Sequence, residues 1–246
     1  MDNCGEYGFK IRTYECGPDG SATLPAVCNF LQEAAALNAA ELRFSKSDFD
    51  AAGENISWVL TRLRVEMEKY PAWGDEISVL TFPRGGRRIT AWRDFLVKDS
   101  SGGVIGRAAS EWMLIDLSSR KIVQIPQPVF DAANTVREPV LGENPFTARM
   151  RFPSEQAQDA CSFKACRFHI DLNGHVNNVH YVSWLLEPTG EMHPRGIELL
   201  FRGETVCGES VAVKTAVSGG ENFHAVISGE GKESVVAKIT FDCNTK

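Results

Sequence analysis

The chain aligns with itself. The segment "FKIRTYECGPDGSATLPAVCNFLQEA", from Phe9, lies without a gap against "FKACRFHIDLNGHVNNVHYVSWLLEP", from Phe163. Identities fall at Phe9, Lys10, Gly20, Leu31 and Glu33, matched by Phe163, Lys164, Gly174, Leu185 and Glu187. Five identities carry little weight alone, but both segments also read as a strand, a turn with glycine and a helix. An internal repeat binds the two halves to one architecture: whatever one folds into, the other must also fold into.

The helical readings rest on spacing. Leu24, Val27, Leu31 and Ala34 recur at helical intervals behind Pro25 at a tolerated first-turn position, and Val176, Val179, Val182 and Leu186 do the same before Pro188 and Gly190 end the run. Strand patterns follow each helix. In "WVLTRLRVEM", from Trp58, the spacing predicts Val59, Thr61, Leu63, Val65 and Met67 on one face and Arg62, Arg64 and Glu66 on the other. Similar runs occupy 75–82, 87–98 and 103–116, then 196–206, 210–218, 221–228 and 233–242, with "SGGEN" and "GEGKE" as hairpin turns. Each half is therefore expected to be an α+β unit, an antiparallel sheet wrapping its apolar face around one helix.

The expected division is an N-terminal repeat over 1–124, a Pro-rich connection over 125–160 and a C-terminal repeat over 161–246. A net charge of -6 argues against nucleic-acid binding. No apolar run approaches the roughly 20 residues that span a bilayer, and the N-terminus has neither a cationic nor an apolar leader region, so a cytoplasmic location is the default expectation. The cysteines Cys4, Cys16, Cys28, Cys161, Cys166, Cys207 and Cys243 follow no C-x-x-C spacing and are expected to be reduced core residues rather than a disulfide framework or a zinc site. There is neither a Walker loop nor a dinucleotide fingerprint, and no cofactor or metal is expected.

Chemistry concentrates in "DLNGHVNNVHYVSWLLE", residues 171–187. Asp171, Asn173 and His175 alternate at a helix entry, so their side chains can converge beside unpaired helix-start N–H groups that favour negative charge on an oxygen. Such a set suits acyl transfer, although the same spacing allows Asp171 or Asn173 simply to cap the helix while His175 packs. Asn177 and Asn178 are assigned to turn geometry. In the first half the matching positions are Gly17, Asp19 and Ser21, so only the second half is chemically equipped.

At these residues the chain resembles the acyl-acyl carrier protein thioesterases, which end fatty acid synthesis in plastids and have bacterial relatives. "FKIRTYECGPDGSATLPAVCNFLQEAAALNAAE", "WVLTRLRVEMEKYPAWGDEISVLTF", "RRITAWRDFLVKD" and "DLNGHVNNVHYVSWLLE" resemble that family's segments in the family's order over nearly the whole chain. The resemblance implies a tandem double hot-dog fold and hydrolysis of fatty acyl-carrier protein to free fatty acid. It places the catalytic acid, asparagine and histidine on Asp171, Asn173 and His175, and a glutamate of a second motif, here "FRGET", on Glu204. The next residue departs from the plant pattern: it is Thr205 rather than cysteine, which argues against a Cys–His nucleophile and leaves water as the attacking group. Glu198 and Glu209 are read as solvated charges, and His169, His180, His193 and His224 as ordinary histidines.

The implied partner is acyl carrier protein, which is acidic. Arg84, Arg87, Arg88, Arg93 and Lys98 cluster within "PRGGRRITAWRDFLVKD" and are candidates for docking it, against the alternative of a solvated strand face. Trp58 and Trp92 are candidates for lining an acyl chamber, or for packing alone. Homodimerisation is compatible with the fold. The competing readings are an acyl-CoA thioesterase, a hydratase or dehydratase, and a non-catalytic acyl-thioester sensor.

Overall fold

The structure is a computed structural model that describes residues 3–133 and 137–241. The chain divides into two compact units, one of Met1–Ala22 and Ala26–Pro145, the other of Thr23–Pro25 and Phe146–Lys246. The first contains β1 (Gly5–Lys10), α1 (Leu24–Glu41), α2 (Lys46–Ala51), β2 (Ile56–Met67), β3 (Glu76–Arg87), β4 (Thr90–Asp99), β5 (Val104–Asp116), β6 (Ile122–Val123) and α3 (Gln127–Asp131). The second contains β7 (Gln158–Lys164), α4 (Asn178–Leu186), β8 (Gly196–Phe201), β9 (Ser210–Ser218), β10 (Glu221–Ser228) and β11 (Glu233–Thr240). Within the first unit the strands run in the order β1-β3-β4-β5-β2, and within the second β7-β9-β10-β11-β8, all antiparallel. Element for element, the two orders are the same, as the repeat requires.

Each sheet carries its helix on one face. In the first unit Val27, Leu31, Ala34 and Asn38 of α1 are buried at helical spacing, and the Phe30 ring lies 5.0 Å from that of Phe9 on β1. In the second, α4 buries Val179, Tyr181, Val182, Trp184, Leu185 and Leu186, apolar on nearly every side, as a helix enclosed by its sheet must be. Trp184 stacks on Phe163 of β7 at 5.5 Å, and Tyr181 meets Phe201 of β8 edge-on at 6.2 Å. Pro188 and the left-handed Gly190 end the helical run, so α4 is half the length of α1. No helix among the described residues is long and apolar enough to cross a membrane.

Several boundaries differ from the sequence expectation. A bulge in β2 at Thr61 shifts the alternation, so the buried set is Ser57, Leu60, Leu63, Val65 and Met67, while Val59 and Thr61 are half-buried. Thr61 spends its hydroxyl on the Glu111 carbonyl at 3.0 Å. β8 stops at Phe201 rather than running to 206, because Arg202 and Gly203 both donate to the Ser234 carbonyl and the chain turns away. The expected connection over 125–160 is not free chain: Ile125 and Val129 are buried in the first unit with Phe49, Ala91 and Leu114, and Met150 and Phe152 in the second with Ala216, Ala225 and Val236. Among the described cysteines only Cys28 is buried, and Cys166 and Cys207 are exposed; Cys243 lies outside the described residues.

Candidate active site

The second unit builds its site from two short pieces of chain. The first leaves β7 through a single 3-10 turn at Arg167–His169, then closes a tight turn over 171–174. Asp171 N–H donates to the His175 carbonyl (2.9 Å) and Gly174 N–H to the Asp171 carbonyl (3.1 Å), with Gly174 at φ 82°, a left-handed conformation that glycine adopts without strain. The Asp171 carboxylate accepts the Asn173 N–H at 2.8 Å, and the Asn173 amide lies 3.5 Å from its other oxygen. Asp171 and Asn173 therefore meet, with Asn173 exposed to solvent.

The second piece is the 202–209 loop. Val176 N–H donates to the Thr205 carbonyl (2.9 Å), Ala165 N–H to the Glu209 carbonyl (2.8 Å) and Gly208 N–H to the Ala165 carbonyl (2.7 Å). These bonds lay the loop against the helix entry, and Glu204 Oε2 comes 3.2 Å from His175 Nε2. Both side chains keep some solvent access, 25% for His175 and 36% for Glu204. Thr205 by contrast is fully buried, so its hydroxyl cannot reach a substrate. Glu209 stays at the surface and accepts the Val206 N–H, whereas Glu198 is buried and accepts both the N–H and hydroxyl of Thr147 at 2.6 and 2.7 Å, a structural role that a lone strand glutamate did not announce.

Asn177 caps α4 by accepting the Val179 N–H at 3.0 Å. Its own N–H goes to His169, and His180 N–H goes to Asn177. Of the helix-start N–H groups the sequence offers for an oxyanion, those of Val176, Asn177, Val179 and His180 are already engaged, and that of Asn178 has no acceptor among the described residues. His180 lies 4.7 Å from His169, ring to ring, and burial followed by that neighbour lowers its pKa.

The first unit holds a cavity of about 230 Å³, lined by Ala35, Ala39, Leu42, Trp58, Trp92 and Trp112 among others. Trp58 and Trp92 thus stand in its wall, each tied by its indole N–H, to the Phe44 carbonyl (2.8 Å) and the Glu111 carboxylate (3.0 Å). Two of the four arginines read as docking residues turn inward. Arg84 is 7% exposed and ion-paired at 3.2 Å with the buried Asp94, whose carboxyl is raised by burial against the pull of the Val140 N–H and Arg84. Arg93 is half-buried in the cavity wall and donates to Asn38 (2.7 Å) and Thr81 (3.2 Å), with its pKa lowered by burial to about 10. Their expected docking role is corrected for a physical reason: strand alternation alone does not show that Arg84 lies with Asp94 beneath Val140 while Arg93 meets Asn38 of α1. Arg87 and Arg88 remain exposed, and Lys98 pairs with Glu6.

The molecule is a tandem hot-dog protein with a carboxylate–imidazole pair at one of its two helix entries. The sequence profile of the acyl-ACP thioesterase N-terminal domain matches residues 5–133, and that of the C-terminal domain matches 153–243. The chain belongs to the acyl-ACP thioesterase family. It is 32% identical over 198 residues to oleoyl-acyl carrier protein thioesterase 1 of Arabidopsis thaliana (73% of this chain, 53% of that one). Over 238 residues it is 32% identical to the palmitoyl-acyl carrier protein thioesterase of Gossypium hirsutum (90% and 57%). The chain spans about half the length of these curated relatives. Among solved structures, an acyl-ACP thioesterase from Bacteroides thetaiotaomicron superposes with TM-score 0.86 at 26% identity, covering 98% of both chains. The 12:0-ACP thioesterase from Umbellularia californica gives 0.83 at 26% identity, covering 98% of this chain and 97% of that one.

Proposed function

We propose that the protein hydrolyses the thioester of fatty acyl-carrier protein and releases the free fatty acid. The observation that carries this reading is the Glu204–His175 pair at 3.2 Å, set at a helix entry and present in only one of two otherwise matching units. With Glu204 accepting the Nε2 proton, the pair can take a proton from water as its oxygen attacks the thioester carbonyl carbon. The Asn178 N–H stabilises the resulting oxyanion, and Asn173, held by Asp171, orients the acyl group. Collapse of the tetrahedral intermediate breaks the carbon–sulfur bond, and the proton taken from water passes to the leaving thiolate. The family of the chain and the activities for which its relatives are named support the same reaction. In this reading the apolar cavity of the first unit receives the acyl chain, with Trp58 and Trp92 in its wall, and Arg87 and Arg88 meet the acidic carrier.

The test is thiol release from acyl-carrier proteins of increasing chain length, with His175→Ala and Glu204→Gln beside the wild type. Both folded variants should lose about a hundredfold or more in turnover. Full activity in both would remove the assigned residues. Wild-type protein that binds acyl carrier without releasing thiol would be a sensor, and faster release from the same acyl group on CoA would replace the carrier as substrate.

A further inference from the structure

Three indoles stand in the wall of the first unit's cavity, and each is tied by its N–H: Trp58 to a backbone carbonyl, Trp112 to the Ser110 hydroxyl (2.7 Å) and Trp92 to a carboxylate, that of Glu111 (3.0 Å). Trp92 and Glu111 stand directly opposite each other on β4 and β5. The other Glu111 oxygen, Oε1, lies 3.1 Å from the Thr61 hydroxyl, which also reaches the Glu111 carbonyl. Thr61 is the extra residue of the β2 bulge, between Leu60 opposite Trp112 and Arg62 opposite Glu111. The bulge aims an additional side chain at Glu111, and both carboxylate oxygens are then occupied. The Trp92 ring is held on its face as well: Arg84 and Arg87 lie over it at 5.1 and 5.7 Å, and Arg84 is itself fixed by Asp94.

The second unit supplies an internal control. Its β10 and β11 pair as β4 and β5 do, with Ala237 opposite His224 as Ala108 is opposite Phe95. In that register the positions of Trp92 and Glu111 are taken by Glu221 and Thr240. β8 pairs with β11 without a shift, so nothing matches Thr61. The sheet therefore forms without an indole, a glutamate or a bulge at these places. Setting a carboxylate beside an apolar cavity has a desolvation cost that closing the sheet does not require. The three residues occur together where the indole lines such a cavity.

We infer that Glu111, braced by Thr61, positions the Trp92 indole and so sets which acyl chain lengths the cavity accepts. Glu111 and Thr61 stand behind the wall rather than in it, and act through Trp92. This inference rests on the proposed seat of the acyl chain in that cavity. A pocket tells two chains apart only if its wall does not yield. Against a fixed wall a surplus methylene costs about tenfold or more, whereas an indole free to turn gives way to it.

The experiment is thiol release from acyl-carrier proteins of even chain length, with the affinity for the matching free fatty acids measured beside it. The proteins are wild type, Glu111→Leu, Glu111→Gln, Trp92→Phe, Thr61→Val and the double variant Glu111→Leu with Trp92→Phe. Wild type should favour its best chain over one two carbons longer by about tenfold or more in kcat/KM. Glu111→Leu and Trp92→Phe should each bring that ratio to about threefold or less, and Thr61→Val should lower it by a smaller step. Glu111→Gln, which keeps an acceptor for the indole, should hold the ratio within about twofold of wild type. The double variant should match the lower single one, since both remove one contact. A merely structural role slows all chains alike and leaves the ratio unchanged. That outcome, with release by wild type intact, overturns the inference and leaves the hydrolysis standing. A glutamine variant no better than leucine, or a wild type with no chain preference in either measurement, also overturns it. No thiol release from any chain, with fatty-acid affinity peaked in wild type and broadened in Glu111→Leu, removes the hydrolysis and leaves the wall in place. Trp92→Phe and Thr61→Val keep the test decisive if the leucine variant fails to fold.

Discussion

The two units close the same turn with the same backbone bonds and fill it with different side chains. Gly17 N–H to the Ser21 carbonyl (2.8 Å) matches Asp171 to His175 (2.9 Å), and Gly20 to Gly17 (3.0 Å) matches Gly174 to Asp171 (3.1 Å). The bridge between Cys16 and Ala22 matches that between Ile170 and Val176, and the glycines sit at φ 81° and 82°. Even the 3-10 turns correspond, Thr13–Glu15 with Arg167–His169. Yet where the second turn presents Asp171, Asn173, His175 and Glu204, the first presents Gly17, Asp19, Ser21 and Tyr70. The frame is independent of the chemistry. The fold is specified by glycine, register and buried apolar groups, and the proposed reaction rests on four side chains placed on it.

If that separation holds, converting the second turn into a copy of the first should abolish activity without unfolding the protein. The variant Asp171→Gly, Asn173→Asp, His175→Ser should lose about a thousandfold or more in thiol release, with a melting temperature a few degrees from wild type. Residual activity within tenfold would mean that the turn side chains are not the reaction centre. Cooperative unfolding would mean that frame and chemistry cannot be separated.

How far the sequence announced this follows from the range of each signal. The repeat, both helices and the four-strand meanders were visible because apolar periodicity and turn glycines are local. Asp171, Asn173 and His175 were visible because they fall within one short segment at a helix entry. Glu204 was reached only through resemblance, since the bonds that bring it to His175 join residues far apart in sequence. Arg84 and Arg93 are misread because burial on a strand depends on what covers each face: the 137–145 segment, with Val140 and Glu143, lies on Asp94 and Arg84, and Arg93 points the other way, onto Asn38 of α1. The bulge at Thr61 has no composition signal at all.

The sheets can be compared at one buried position. On β9 and β10, Thr215 faces His224; on β3 and β4, the matching Thr81 faces Phe95. Both aromatic residues are buried, but burial holds the His224 imidazole down to about 4, with its Leu185 carbonyl contact only partly opposing. Because its folded pKa lies below the ordinary value, the unfolded chain takes up the proton first as pH falls. The stabilising effect of a neutral His224 is complete above about pH 6.5 and drains away between there and pH 4, by about 3 kcal/mol in all. Urea unfolding at pH 7.5 and 4.5 should show this loss in wild type and a much smaller one in His224→Phe, which installs the residue of the first unit. Equal acid sensitivity in both would assign it to carboxylates instead.

A smaller effect tests whether the two turns are energetically as well as geometrically alike. A Cβ at Gly20 or Gly174 would meet nothing within 4 Å, so alanine there costs only backbone strain. Gly20→Ala and Gly174→Ala should each destabilise by about 1–2 kcal/mol in urea unfolding, to similar extents. Only Gly174→Ala should also slow thiol release. A loss of activity in Gly20→Ala at unchanged stability would show that the first turn contributes to the reaction, against the division drawn above.

The smallest expected effect concerns what the first unit does in place of chemistry. The tip of its β3–β4 hairpin carries the exposed Arg87 and Arg88, with Arg87 lying over the Trp92 ring at 5.7 Å, whereas the matching β9–β10 hairpin turns through Gly219 and Gly220 into Glu221. If the cationic tip meets an acidic carrier, Arg87→Ser and Arg88→Ser should each raise KM for carrier-linked substrate by about two- to fivefold at low salt, because exposed charges steer encounter more than they hold a complex. The difference from wild type should shrink as salt rises past about 0.15 M, where the screening length falls to about 8 Å. Hydrolysis of the same acyl group on a small thiol should not change, since a short thiol makes no contact at a hairpin tip chosen for a protein. An equal rise on both substrates would place the arginines at the acyl site instead of at the carrier, and would give the first unit a single binding role rather than two.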